Sequence, residues 1–307
     1  MIAVLSGGVG GSRFLQGLVR AIPPEEVVAI VNTADDDEFF GLYVSPDPDI
    51  VTYALAAIVD EERGWGVRGD TFRWLETMPR FGHDTWFQIG DRDLATHLYR
   101  TRRLREGATL SQIAAEIAER LGVAARVLPM SDDRVRTIVE TGASPLPFQR
   151  FLVQHRARDP VRSLRFDGIE SATPAPGVLD ALRDADAVLI APSDPLASIG
   201  PILALPDVRE ALRVRRDRVA AVSPIVAGRS FQPPAAELLA GLGHEVSALG
   251  VARLYADVAG VFVLDRQDEA LAPEVRELGL EPVVTDTVMR DDASKEALAR
   301  VALQAIR

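Results

Sequence analysis

The sequence predicts an α/β protein: a Rossmann-like, mostly parallel sheet with helices on both faces and a helical insertion. Three observations predict it. Apolar runs of strand length alternate with helix-period segments near both ends of the chain. The first of those runs enters a cluster of glycines that leads straight into a helical pattern, the usual opening of a doubly wound sheet. Between residues 69 and 121 the strand texture disappears and only helical periodicity remains.

Each element follows from its local pattern. Ile2 to Leu5 is a short apolar run and reads as a buried strand. Arg13 to Ile22 reads as a helix, with Phe14, Leu15, Leu18 and Val19 on one face and Pro23 and Pro24 stopping it. Val27 to Val31 is a second buried strand, and Ile50 to Val59 reads as a helix. "DTFRWLETM", "DRDLATHLYRTRRLREG" and "TLSQIAAEIAERLGV" make up the insertion. "ARVLPMS" and "VRTIVET" resemble strands, expected as a hairpin around Ser131 to Asp133. Alternation then resumes: helix "PGVLDALRDA", strand "AVLIAPSD", helical "IGPILALPDVREALR", strand "RVAAVSPIVAG", helix "PAAELLAGLG", strands "GVFVLD" and "PVVTD", and a closing helix "ASKEALARVALQAI". No repeat, low-complexity tract or flexible linker interrupts this, so residues 1–307 read as one domain carrying the 69–121 insertion.

Composition narrows the function. Of 307 residues, 47% are hydrophobic and 26% charged, enough for a large core. A net charge of −11 argues against nucleic acid as the main partner, since phosphate neutralisation needs clustered Lys and Arg. The arginine groups at 100–105 and 213–218 read as solvated faces. Cysteine is absent, which excludes disulfides, thiolate metal sites and a Cys nucleophile. No membrane-length apolar stretch or secretory leader is seen, so a cytoplasmic protein with no membrane partner is expected.

Two loops carry the chemistry. "SGGVGGS" places Gly7, Gly8, Val9, Gly10, Gly11 and Ser12 where a strand meets a helix, and helix N–H groups there attract phosphate. The alternative is a tight turn without a ligand. Neither familiar phosphate motif matches: no lysine follows as in G-x-x-x-x-G-K-[ST], and Arg13 stands where the third glycine of G-x-G-x-x-G belongs. "NTADDDEFFG" puts Asn32, Thr33, Asp35, Asp36, Asp37 and Glu38 at the carboxyl end of the second strand, the ligand-binding edge of open sheets. Crowded carboxylates favour a hard cation such as Mg²⁺, with Asp35 and Asp36 preferred over Asp37 and with Asp47 and Asp49 as further ligands. A solvated acidic turn is the competing reading.

Further along, "WFQIGDRDLATHL" brings Trp86, Asp91, Arg92, Asp93 and His97 together, although Asp91 could equally cap a helix. Trp86 is the tryptophan best suited to stack on a flat ring. "APSDPLASIGPIL" and "VSPIVAG" set Ser193, Asp194, Pro195, Ser198, Ser223, Pro224 and Gly228 at strand ends, where hydroxyls and free backbone groups suit an anionic or planar ligand.

Taken together and in order, "GGVGGSRFLQGL", "VNTADD", "WFQIGDRDLATHL", "APSDPLASIGPIL" and "SPIVAG" closely resemble the 2-phospho-L-lactate transferases of coenzyme F-420 biosynthesis. The resemblance implies transfer of a phosphate-linked small acid, phospholactate or phosphoenolpyruvate, from a guanosine diphosphate conjugate to the deazaflavin Fo, with release of GMP. It also implies a homodimer that requires Mg²⁺. By analogy Gly7 to Ser12 hold the donor phosphates, and Asp35, Asp36 and Asp49 bear on the metal, with Asp35 the preferred catalytic base. Asn32, Thr33, Trp86, Asp91, Arg92, Asp93 and His97 line the acceptor side. Ser193, Asp194, Pro195, Ser198, Ser223, Pro224 and Gly228 contact the nucleotide. The family pattern has Asn in its "PSNP" loop where this chain has Asp194, an acceptor without a donor. Two rival functions are a nucleotide-sugar-binding regulator of related fold and an NAD-dependent oxidoreductase; the second would need the missing third glycine.

Overall fold

The computed structural model describes residues 1–306. In chain order its strands are β1 (Ile2–Ser6), β2 (Val27–Val31), β3 (Asp37–Phe39), β4 (Leu42–Val44), β5 (Arg126–Pro129), β6 (Arg136–Thr141), β7 (Pro145–Pro147), β8 (Val161–Asp167), β9 (Ala187–Ile190), β10 (Val219–Val222), β11 (Ile225–Val226), β12 (Arg229–Ser230), β13 (Val261–Asp265) and β14 (Glu281–Thr285). The helices are α1 (Gly8–Ala21), α2 (Pro46–Leu55), α3 (Arg73–Thr77), α4 (Asp93–Arg105), α5 (Leu110–Arg120), α6 (Val178–Asp184), α7 (Ile199–Ala204), α8 (Val208–Val214), α9 (Ala235–Gly241), α10 (Ala248–Tyr255), α11 (Ala272–Glu277) and α12 (Asp292–Gln304).

Seven strands form one parallel sheet in the order β14-β13-β10-β9-β1-β2-β5. The chain runs outward from β1 through β2 to β5, then returns to β9 on the other side of β1. That reversal makes the gap beyond the carboxyl ends of β1 and β9 the topological switch point, where open α/β sheets take ligands. The strands are continuous apolar runs because both faces are covered. On β1, Ala3 and Leu5 face one core with helices α6, α7, α8 and α10, while Ile2 and Val4 face another with α1, α2 and α12.

Three boundaries differ from the sequence expectation. The first helix begins at Gly8, not Arg13, so the glycines form its first turn. The second begins at Pro46, not Ile50, because Pro fits a first turn; Asp47 and Asp49 therefore lie in a helix and not in a loop. The expected hairpin around Ser131 to Asp133 is not formed. β5 joins the parallel sheet beside β2, and β6 pairs with β7 and β8 in a separate antiparallel sheet. Adjacent strand-like runs cannot reveal which sheet each one joins.

Residues 69–121 hold α3, α4 and α5, and α5 leads directly into β5. A small core of Phe39, Val44 and Ile89, flanked by Trp74, Trp86 and Phe87, lies beneath this region. At the other side of the molecule α1 and α12 pack closely, since a side chain at Gly17 would collide with the Lys295 carbonyl. Lys295, the single lysine of the sequence, is 2% exposed. Its Nζ donates to Gln16 Oε1 at 2.8 Å and lies 3.2 Å from Asp292 Oδ1. No helix among the described residues is long and apolar enough to cross a membrane.

Candidate active site

At the switch point lies a cleft of about 610 Å³. Its floor is Gly7 to Gly10, Asp35, Pro192 to Asp194, Ser198, Ser223 and Pro224, which follow β1, β2, β9 and β10 at their carboxyl ends, together with Asp47 from the first turn of α2.

The four glycines do different work. Gly8 has φ +61° with open space around it, so it supplies the left-handed turn and leaves its surface free. A Cβ at Gly7 would strike Asp47 and Ser198, one at Gly10 the Pro192 carbonyl, and one at Gly11 the hydroxyls of Ser6 and Ser193. The last two glycines thus permit close packing between α1 and the β9 loop, while Gly8 presents backbone to the cleft. Ser193 locks the turn: its Oγ accepts from Gly7 N–H at 3.0 Å and donates to the Gly7 carbonyl at 2.8 Å. Ser12 turns its hydroxyl back to the Val9 carbonyl at 3.0 Å and does not line the cleft.

The acidic loop stands beside this turn. Asn32 bridges the two: its Oδ1 accepts from Ala34 N–H at 2.9 Å and its Nδ2 donates to Asp47 Oδ2 at 3.0 Å. Asp47 Oδ1 in turn accepts from Gly8 N–H at 2.9 Å. Asp35 is 5% exposed, and its enclosed Oδ1 has no protein partner. Burial raises its pKa, and the nearby carboxylates of Asp47, Asp36 and Asp194 raise it further. Burial also lifts Asp47 to about 6, against the opposing hydrogen bonds from Asn32 and Gly8. Asp194 is likewise lifted to about 6 by burial, although Oδ1 accepts from Ala197 and Leu196 N–H, each at 2.8 Å. Its Oδ2 is enclosed and unpartnered.

Among the described residues, the three arginines that line the cleft are engaged with other partners. Arg13 is tied to the Glu61 carbonyl at 3.2 Å, Arg63 to Asp60 at 2.9 Å and Arg290 to Asp286 at 2.7 Å. Such uncompensated negative charge suits a hard cation. Among the described residues no group of three or more His, Asp or Glu side chains could by itself hold a metal ion. Ion binding here would therefore use one or two carboxylates together with phosphate oxygens and water, the arrangement Mg²⁺ commonly adopts.

Several expected site residues lie elsewhere. Asp49 is turned away from the cleft, where Arg100 binds both its oxygens, one at 3.1 Å; Asp47 occupies the cleft in its stead. Asp36 is buried with Oδ2 accepting from Ser45 Oγ at 2.7 Å, and burial raises its pKa. Thr33 is buried off the cleft. Asp91 and Asp70 exchange helix starts: Asp91 accepts from Trp74 N–H at 3.2 Å at the head of α3, and Asp70 from Arg92 and Asp93 N–H at 2.8 and 3.0 Å at the head of α4. Capping accounts for Asp91, and the exposed Arg92 donates to the Arg68 carbonyl. Asp93 accepts from Tyr53 Oη at 2.7 Å and lies 3.2 Å from His97 Nε2, both buried beside Arg100. Trp86 packs edge-on against Phe39 and Phe87, under Arg150, in a separate hollow of about 180 Å³. Pro195 and Gly228 do not reach the cleft.

The sequence reading missed the opposite wall: Thr287 to Arg290 after β14, Arg63 and Trp65, the segment Phe148 to Val153, and Ser230 to Ala235. Thr287 to Arg290 follow a strand that had been recognised, so the edge rule applied to β14 would have found them. The rest come from loops with no motif.

Comparison with known proteins gives a consistent set of relatives. The family model described as 2-phospho-L-lactate transferase CofD matches residues 2–305. The chain is 43% identical to the 2-phospho-L-lactate transferase of Methanopyrus kandleri, over 99% of this chain and 97% of the relative. It is 40% identical to the phosphoenolpyruvate transferase of Streptomyces griseus, again over 99% and 97%. Among solved structures, a Bacillus halodurans member of the UPF0052 family shares the fold with a TM-score of 0.66 at 17% identity, covering 97% of each chain.

Proposed function

The chain belongs to the 2-phospho-L-lactate transferase family and is a transferase; on that premise we propose the reaction its cleft performs. The donor is a guanosine diphosphate conjugate of phospholactate or phosphoenolpyruvate, the acceptor is the deazaflavin Fo of coenzyme F-420 biosynthesis, and the products are GMP and an acid-bearing phosphodiester of Fo. One observation carries this reading most directly. The Gly8 turn, at the positive end of α1, stands beside the enclosed and unpartnered oxygens of Asp35 and Asp194 in a single cleft. Backbone N–H groups on one side and free carboxylates on the other are what a diphosphate with a nucleophile beside it requires.

In the proposed step the terminal ribityl hydroxyl oxygen of Fo attacks the phosphorus bearing the small acid. The bond from that phosphorus to the bridging oxygen breaks, and GMP leaves with the bridging oxygen. Asp35 takes the hydroxyl proton at Oδ1, the oxygen that has no protein partner. The first turn of α1 binds the diphosphate oxygens through backbone N–H groups, and Ser193 keeps that turn in place. Ser223 and Pro224, in the cleft floor, are the residues proposed to meet the nucleotide. Mg²⁺, held by Asp35 and Asp47 with donor oxygens, would neutralise charge building on the bridging oxygen. Positioning and charge neutralisation account for the catalysis, as in other phosphoryl transfers.

The test is mass spectrometry of reactions holding Fo, Mg²⁺ and each synthetic donor separately. GMP formed in equal amount with the Fo phosphodiester supports the reading, and the preferred donor identifies the acid. GMP formed equally without Fo, or no product from either donor, refutes it.

A further inference from the structure

One buried guanidinium stands behind the acidic floor. Asp35, Asp36, Asp47 and Asp49 are all buried, and the only arginine among the buried charged residues described is Arg100. The other buried cation, Lys295, serves the α1–α12 seam. Arg100 does not line the cleft. It projects from α4, its two terminal nitrogens bind the two oxygens of Asp49, and Nη1 lies 3.3 Å from His97 Nδ1. Asp36 also falls within its electrostatic reach.

Asp49 shares the first turn of α2 with Asp47. Ser45, at the N-cap, makes no capping hydrogen bond and gives its hydroxyl to Asp36 instead. Three attachments therefore hold this turn: Arg100 through Asp49, Asp36 through Ser45, and the glycine turn with Asn32 through Asp47. The third attachment is the one that meets the cleft. Removing the guanidinium would leave the buried Asp49 carboxylate with only the His97 imidazole beside it, Nδ1 at 3.6 Å, and no bidentate hold on its helix turn.

We propose that Arg100 is a positioning residue: by holding Asp49 it fixes the first turn of α2 where Asp47 can grip Gly8 N–H, and so sets the phosphate-facing turn without touching substrate. The part of this inference that concerns donor affinity rests on the transferase reading. The part that concerns the Gly8 amide does not.

The experiment compares the full chain with Arg100→Met, Asp49→Asn and the double variant. Amide hydrogen exchange is followed in the peptide spanning 6–12, and GDP binding by calorimetry. Arg100→Met is expected to speed exchange in that peptide, and to weaken GDP, by about tenfold or more, while peptides from α12 are unchanged. Asp49→Asn and the double variant lose the same tether and are expected to stay within about threefold of Arg100→Met. Arg100→Lys should fall between wild type and Arg100→Met, since an ammonium cannot bridge two oxygens as a guanidinium does. Wild-type exchange at 6–12 in Arg100→Met, or in the double variant, overturns the proposal. If Arg100→Met does not fold, Arg100→Lys takes its place, and wild-type exchange there is the overturning result. Wild-type protein that ignores GDP while the exchange pattern holds would count against the proposed donor and not against the role of Arg100.

Discussion

Replacing Asp194 by Asn should make the metal-free protein more stable at neutral pH, because the native carboxylate is held in a place that disfavours its charge. Burial is the main cause, and it lifts the group from 3.8 to about 6. With a folded pKa above the unfolded one, the folded state binds the extra proton, so this contribution favours folding below about pH 4 and is lost as pH rises through about 6. The shift is roughly two units, which corresponds to about 3 kcal/mol at pH 7.5 and about 1 kcal/mol at pH 4.5. Asn keeps an oxygen for the Leu196 and Ala197 N–H groups and sets an amide donor where the unpartnered Oδ2 stands. In EDTA near pH 7.5 the variant should therefore unfold about 5 °C higher, and the gap should narrow toward pH 4.5. Divalent cation should narrow it too, by stabilising the wild type more than the variant. Equal stability near neutral pH, or an advantage that does not change with pH, would refute the reasoning.

Three further outcomes follow from the same cleft. Gly10→Ala should destabilise by about 1–3 kcal/mol in thermal unfolding and weaken GDP binding, since its Cβ meets the immovable Pro192 carbonyl. Gly8→Ala should cost about 1–2 kcal/mol from backbone strain alone, as nothing obstructs the added methyl. Asp35→Asn should fold normally and lose at least about 100-fold in turnover at saturating Mg²⁺; near-normal rates would remove Asp35 from the proton transfer.

The architecture was legible because a doubly wound sheet writes itself locally. The strands at Ile2, Val27, Ala187, Val219 and Val261 read as apolar runs, and the first four are followed by polar turns that supply the cleft floor. Partnership between elements was not legible. Asp47 and Asp49 are two residues apart and chemically identical, yet one faces the glycine turn and the other Arg100, because positions two apart on a helix differ by about 200° in direction. That division depends on where α2 starts, which Pro46 sets and which the sequence reading placed too late. The same holds for Asp91: its capping character was readable, but not that it caps α3 while Asp70 caps α4. Trp86 was singled out as an aromatic, but its packing against Phe39 of β3, far back along the chain, is made only by the fold.

The solitary lysine gives the seam between the first and last helices its own reporter. A protease that cleaves after lysine has a single bond to attack, Lys295–Glu296, and the side chain it must grip is enclosed against Gln16. Digestion can begin only after the terminal helix peels from the sheet. At low protease the rate of that one cut thus reports the fraction of molecules open at this seam, and at high protease the rate of opening, with no label or engineered site.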